Sequence, residues 1–296
     1  MSTPSGVLGE LSISDHEFAR FRDLVREHTG ITLGPHKRHL LRARLGRRLR
    51  ALGMTTFAEY YEYLTGPEAG GTGELTAFVN AITTHKTDFF REPHHFDYLR
   101  ARWTSTWRHE AERAGRRRLR LWSAACSSGE EPYTLAMVLA EAGLTPPAWD
   151  TRILASDIDT ECLAQMESGV YPMERVTPVP ADLLKRYFLR GTGRHGAEVR
   201  VRPELRALVT ARRINLAESA WPIRTRFHVI FCRNALIYFD RTMQRSILER
   251  LVSFLEPSGV LVLGHAESVF GLVEGLSHLG NTIYARTADV RAGVVS

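Results

Sequence analysis

The sequence predicts an all-α amino-terminal region followed by a doubly wound α/β domain, and three observations carry that reading. Apolar residues recur at helical spacing through the first sixty-odd positions. Beyond them, four short apolar runs, RLRLWSA, TRILASD, FHVIFCR and GVLVLGH, alternate with helical segments. The first run passes through a turn of small residues straight into a helix. Short apolar runs separated by helices mark buried parallel strands, and such a sheet holds its ligand at the carboxyl ends of those strands.

The elements follow in order. SDHEFARFRDLVREHTG offers Ser14 and Asp15 as helix caps, places Phe18, Phe21, Leu24 and Val25 near one face and stops at Gly30. HKRHLLRARLGRRLR (36–50) has leucines at helical spacing among its basic residues and contains no acid, and TFAEYYEYL reads as a third helix. TGPEAGGTGE then breaks the pattern as a flexible connection. A boundary at 75/76 separates the helical region, 1–75, from the α/β domain, 76–296. Within the latter, helices are expected over Pro132–Ala142 and Arg241–Leu255. The stretch YFLRGTGRHGAEVRVRPELRALVTARR interrupts the rhythm with a Gly-rich turn and alternating Val/Arg positions, which places a small antiparallel insertion at about 172–212.

Composition narrows the function. With 296 residues, 44% hydrophobic and 24% charged, the chain suits a two-domain soluble protein. No apolar run approaches the roughly 20 residues of a membrane span, and the start lacks the basic-then-apolar pattern of a secretory signal. Cys126, Cys162 and Cys232 are scattered without CxxC spacing, which argues against a disulfide framework or a zinc site and for a reducing cytoplasm. A net charge of +6 favours anionic partners. Much of it sits in the basic helix and in RRRLR (116–120).

The turn in WSAACSSGEEPYTLAM identifies the ligand class. It has one glycine where a dinucleotide site needs G-x-G-x-x-G, and it lacks the Gly-Lys-Ser/Thr of a phosphate loop. Glu130 and Glu131 stand at its mouth, and Asp157 and Asp159 follow the next strand in ASDID. Acids there suit ribose hydroxyls and cationic groups, the chemistry of S-adenosylmethionine. An alternative stands beside this reading: Glu130 and Glu131 complement the positive end of a helix dipole.

Taken together, FFREPHHF, WSAACSSGEEPYTLAM, ASDIDTECL, RYFLRGTG, INL, FCRNALIYFD and GHAES resemble the CheR-type chemotaxis receptor methyltransferases, in order and over nearly the whole chain. The resemblance implies a helical domain, then a Rossmann-like S-adenosylmethionine-dependent methyltransferase domain with a small β insertion. The implied reaction is methyl esterification of glutamates on transmembrane chemoreceptors, with S-adenosylhomocysteine as product and no metal.

The resemblance also implies the site. His85, Thr87 and Arg91 precede the first strand; Glu131 and Asp157 are the two acidic contacts; Asn215 and Leu216 border the adenine; Arg233 and Asn234 close the site. His85 stands where better-known members have asparagine. A neutral imidazole donates one hydrogen bond there, whereas a protonated one opposes a sulfonium; a solvent-facing loop histidine is the other reading. Tyr238 shares a face with Asn234 if the segment is helical. With Arg91 it is the candidate catalytic pair, since a carboxylate acceptor needs donors and the Pro-Pro of many amino-group methyltransferases is missing.

For partners, Lys37, Arg38, Arg42, Arg44, Arg47, Arg48 and Arg50 form a basic helix complementary to the acidic helices of a receptor; a solvated charged face is the competing reading. The β insertion resembles that of members which add a receptor's carboxyl-terminal peptide as a strand. No nucleic acid and no membrane insertion are expected, and a monomer is the default. Three rivals remain at this point: a nucleic-acid methyltransferase, a catalytically silent cofactor-binding adaptor, and an NAD-dependent oxidoreductase, the last weakened by the single glycine.

Overall fold

The structure, a computed structural model, describes residues 12–67, 72–103, 107–113 and 115–293. Part of the TGPEAGGTGE connection and the first eleven residues lie outside them. The chain divides into two compact units, Met1–Thr84 and His85–Ser296. Among the described residues no helix is long and apolar enough to cross a membrane.

The first unit is helical: α1 (Asp15–Thr29), α2 (Arg38–Leu52), α3 (Phe57–Thr65) and α4 (Glu74–Ile82). Ser14 caps α1 through a reciprocal box with Glu17, and Gly30 ends it at φ 73°. Phe18, Phe21, Leu24 and Val25 are buried, and Phe21 meets Phe57, Tyr60 and Phe78 in an aromatic core. The unit ends at Thr84, nine residues beyond the 75/76 boundary read from sequence, because α4 belongs to this core. Its first residue, Glu74, is buried and accepts from the Tyr60 hydroxyl at 2.7 Å and from Arg48 Nε at 3.0 Å.

Those bonds revise the basic helix. Arg48 pairs with Glu74, Arg44 donates to the carbonyls of Ile82 and Thr83, and Arg38 donates to the carbonyl of Ile13. Three of the arginines thus hold the bundle together. Lys37, Arg47 and Arg50 are the exposed basic positions.

The second unit is built on a seven-stranded sheet of order β6-β2-β1-β7-β8-β10-β9. Its strands are β1 (Arg118–Ala124), β2 (Asp150–Asp157), β6 (Val209–Arg213), β7 (Phe227–Cys232), β8 (Leu255–Leu263), β9 (Leu276–Gly280) and β10 (Ile283–Arg286). The first five are parallel, and β10 is antiparallel to both neighbours. A separate antiparallel sheet, β3 (Val170–Pro172), β5 (Glu198–Val201) and β4 (Phe188–Arg190), forms the insertion. VTARR, placed in the insertion by its alternating pattern, is instead β6, an edge strand of the main sheet. Being only half covered, it lacks the apolar run that revealed the central strands.

Four helices of this unit bear on the site: α5 (His94–Arg102), α6 (Glu130–Glu141), α7 (Thr160–Ser168) and α8 (Arg241–Ser253). Registers align the strand ends. Ala124 lies beside Ser156 and Cys232, and Cys232 beside Leu263. The turns leaving β1, β2, β7 and β8 therefore open side by side. Strand order reverses between β1 and β7, which puts the crevice there.

Candidate active site

The turn from β1 into α6 is tightly constrained. Ala125 and Ser127 adopt left-handed φ values of 58° and 51°, and Gly129 takes 98°. A Cβ on Gly129 would fall 2.3 Å from Met166 Cγ and 2.8 Å from the Tyr171 hydroxyl, so the lone glycine is required by both conformation and space. Such backbone persists only where surrounding bonds over-determine it. Here the Ser127 amide donates to Asp157 Oδ2 at 2.8 Å, and the Tyr171 hydroxyl to the Ser128 carbonyl at 2.7 Å.

Asp157, at the end of β2, is the best-placed acid. Its Oδ1 accepts from the Asp159 amide at 3.0 Å, so each oxygen receives one backbone N–H and keeps a further lone pair. Burial pushes its carboxyl above the usual range despite those bonds. A vicinal diol would supply two more donors to a carboxylate so placed, which is what the ribose of an adenosyl group offers.

Asp159 has a different task. It caps α7 through the Cys162 amide at 2.9 Å and meets His85 Nε2 at 3.0 Å, so it fixes the start of α7 and the His85 ring. His85 therefore faces an acid rather than open solvent, and its carbonyl accepts from the Ser127 hydroxyl. Ligand atoms of His85, Asp159 and Cys162 lie within 4.8 Å of one another. Burial and the neighbouring acids push the Cys162 thiol up to about 12, which keeps it protonated near neutral pH.

Both glutamates at the mouth of α6 are ion-paired, which goes beyond a helix-dipole role. Glu130 accepts from the Ser128 hydroxyl and pairs with Arg175, whose guanidinium also reaches the Thr87 carbonyl at 3.2 Å. Glu131 accepts from the Ser123 hydroxyl at 2.6 Å and from Arg233 Nε at 2.7 Å. Arg233 also donates to the Arg91 carbonyl at 2.6 Å and to His95 Nδ1 at 3.1 Å, and it lies against the rings of Phe96 and Phe231. Burial first, and then the Arg233 charge, bring the His95 pKa down to about 4, so the ring is neutral. Nδ1 then accepts from Arg233 while Nε2 donates to the Asn281 carbonyl at 2.8 Å.

The loop leaving β7 is the second wall. Asn234 stands at φ 59°, and a short 3-10 turn, Leu236–Tyr238, follows. Asn234 and Tyr238 therefore do not share the α-helical face that their spacing suggested. The loop is fixed by Glu267, which accepts from the amides of Asn234 at 2.8 Å, Leu236 at 2.7 Å and Gly264 at 2.7 Å. A Cβ on Gly264 would lie 2.5 Å from Asn234 Nδ2.

The remaining sequence candidates fall as follows. Arg91 donates from Nη1 to the Lys86 carbonyl at 2.8 Å, between the left-handed residues Phe90 and Glu92. Asn215 turns its side chain to the Ala217 amide, and its neighbour Ile214 donates to the Asp157 carbonyl, which brings this loop beside β2. Leu216 is buried with Ile214 and Trp221. Tyr238 is half-buried, and Thr87 is buried. Hydrogen bonds thus gather these residues into two sets, His85 with Asp157 through Ser127, and Arg91 with Glu131 through Arg233, while the Tyr238 amide bonds locally to the Ala235 carbonyl.

Residues 85–285 match the family described as CheR methyltransferase, SAM binding domain, and residues 16–83 match CheR methyltransferase, all-alpha domain. The chain belongs to the CheR methyltransferase family. It is 44% identical over 282 residues to the chemotaxis protein methyltransferase of Salmonella typhimurium, covering 94% of this chain and 93% of that one. It is 44% identical over 288 residues to chemotaxis protein methyltransferase 2 of Pseudomonas aeruginosa, covering 96% and 98%. The Escherichia coli chemotaxis protein methyltransferase is 43% identical over 280 residues, with 94% and 93% covered.

Within this S-adenosylmethionine-binding methyltransferase fold, sequence reasoning passed over Arg175, His95 and Glu267. GHAES and FFREPHHF contain two of them, and an acid one turn beyond a strand end was the available signal for Glu267. Arg175 had none, since its partner Glu130 lies 45 residues away.

Proposed function

We propose that this enzyme transfers a methyl group to glutamate carboxylates on the cytoplasmic helices of chemoreceptors, forming methyl esters. The observation that carries the reading is the buried, donor-seeking Asp157 at the strand ends. It stands in a chain whose relatives of near-equal length are named chemotaxis methyltransferases. S-adenosylmethionine, when bound, supplies a methyl group on a positively charged sulfur, which a carboxylate takes by in-line displacement, leaving S-adenosylhomocysteine.

In this reading Asp157 holds the ribose, Asn215 and Leu216 border the adenine, and His85, Thr87, Glu131, Arg233 and Asn234 shape the rest of the pocket. An acceptor glutamate, with an ordinary pKa of about 4.3, is ionised near neutral pH and needs no general base. The chain's contribution is orientation and replacement of water by fixed dipoles. Arg91 uses one N–H on the Lys86 carbonyl and has others for a carboxylate. The Tyr238 hydroxyl is a second donor.

Receptor docking on the first unit falls to the exposed Lys37, Arg47 and Arg50, because Arg44 and Arg48 are engaged within the bundle. Reversing Arg47 and Arg50 to Glu raises the receptor KM severalfold and leaves S-adenosylhomocysteine affinity unchanged; equal receptor kinetics would remove this surface from the reading. The reaction itself is tested with methyl-labelled donor and receptor-bearing membranes. Label released as volatile methanol by mild alkali is the expected result, and alkali-stable label would exclude the ester.

A further inference from the structure

Three parallel crossovers of the main sheet contain helices: β1 to β2, β2 to β6 and β7 to β8. The fourth, residues 214–226 between β6 and β7, contains none. A parallel sheet normally has both faces covered. Here residues of that crossover cover the sheet: Trp221 packs edge-on against Trp122 of β1, and beside residues 222–225 lies a cavity of about 520 Å³ lined by β1, β2 and β6. That size lies within the range of small-ligand sites, roughly 300–1,000 Å³.

The cavity wall has one sign of charge. Arg118, Arg120, Arg152, Arg212 and Arg224 line it, and no acid does. Arg120 and Arg152 are cross-strand neighbours, a juxtaposition of like charges that costs stability. Asp150, the carboxylate at the rim, holds Arg120 and lies 3.8 Å from Arg152. Among the described residues, the exposed Arg212 and Arg224 side chains have neither a hydrogen bond nor an ion pair. The sheet side offers apolar Leu154 and Phe227 as a floor, and Ile223 faces the cavity from the crossover. This cavity begins at the amino-terminal half of β1 and β2, whereas the methyl-donor crevice opens at their carboxyl ends.

We propose that this cavity binds a nucleotide carrying at least two phosphates. Guanidinium forks match phosphate oxygens pairwise and stack on flat rings. The wall thus fits a polyphosphate and the floor a base, within the volume available. The occupant engages the two guanidiniums without internal partners, Arg212 and Arg224, and fills the cavity beside Arg120 and Arg152, whose mutual repulsion Asp150 already counters.

The test is calorimetric titration of the full chain with ATP and with GTP, with S-adenosylhomocysteine saturating so that the crevice cannot take the adenine. One site per chain is expected, with at least tenfold weaker binding of AMP. The double variant Arg212→Glu/Arg224→Glu should lose at least tenfold in ATP affinity while binding S-adenosylhomocysteine as the parent does. Both side chains are exposed and unpartnered, so the fold tolerates the change. No heat with either nucleotide, displacement by S-adenosylhomocysteine, or full retention of affinity in the double variant would each overturn the proposal. So would a polyglutamate peptide or single-stranded oligonucleotide that binds through these arginines where ATP and GTP do not.

Discussion

The two walls of the crevice solve one problem in different ways. Each contains a turn with a non-glycine residue at positive φ, and each is held by a buried carboxylate accepting backbone amides. Burial raises both carboxyls above their ordinary values. Asp157 takes two amides and has capacity to spare. Glu267 takes three short amide bonds from three different positions of its own wall. The first carboxylate can serve a ligand, whereas the second serves the backbone. Residue type and strand-end position are shared, so what separates the roles is the number of internal donors that each acid already satisfies.

Arg233 ties the walls together, and its removal is expected to have the largest effect. Arg233→Met leaves Glu131 buried without its partner and releases His95 and the Arg91 carbonyl. Removing one member of a buried pair costs about 3–5 kcal/mol. Chemical denaturation should show that loss. A loss under about 1 kcal/mol would mean that the walls are held independently.

Glu267→Gln comes next. The amide presents an NH2 toward backbone N–H groups and cannot accept all three bonds, a cost of about 2–3 kcal/mol. Because the Asn234–Tyr238 loop then loosens, turnover at saturating donor should fall by a larger factor than S-adenosylhomocysteine affinity does. A variant that instead lost affinity with unchanged turnover would make Glu267 part of the donor pocket and erase the contrast with Asp157.

Asp157→Asn is the mirror experiment. Hydrogen bonds to a charged acceptor are worth about 1.5–3 kcal/mol, so S-adenosylhomocysteine should bind about 10–100-fold more weakly. The ionised carboxylate is the form that accepts a diol, and its pKa is raised. Affinity in the parent should therefore begin to fall at a higher pH than an ordinary aspartate would dictate, and the Asn variant should lack that dependence. Titrations at descending pH separate the two.

The same contrast explains what could be read from the chain. The central strands were legible because both faces are buried and the apolar runs are continuous; β6, half covered, was read as part of the insertion. The elbow after β1 was legible from its small residues and single glycine. For Asp159, sequence shows an acid past a strand but not the α7 amide that it caps. Arg44 and Arg48 looked like docking charges for a related reason: their partners, the Thr83 carbonyl and Glu74, lie 39 and 26 residues away. Charge runs reveal sign, and only packing reveals which members are already satisfied.

His85 is where the smallest effect is expected. The ring meets Asp159 through Nε2, and Asp159 also caps α7 through its other oxygen. What His85 offers the elbow directly is its backbone carbonyl, which accepts from the Ser127 hydroxyl whatever the side chain. An asparagine at this position falls short of the reach of Nε2 to Asp159, but the Asp159 cap on α7 and the carbonyl contact are both untouched. His85→Asn should therefore change S-adenosylhomocysteine affinity less than about threefold, within roughly 0.6 kcal/mol. A loss of tenfold or more would show that the imidazole itself contacts the donor. The amino-terminal approach to β1 would then be part of the ligand-serving wall, alongside Asp157, instead of a brace for it.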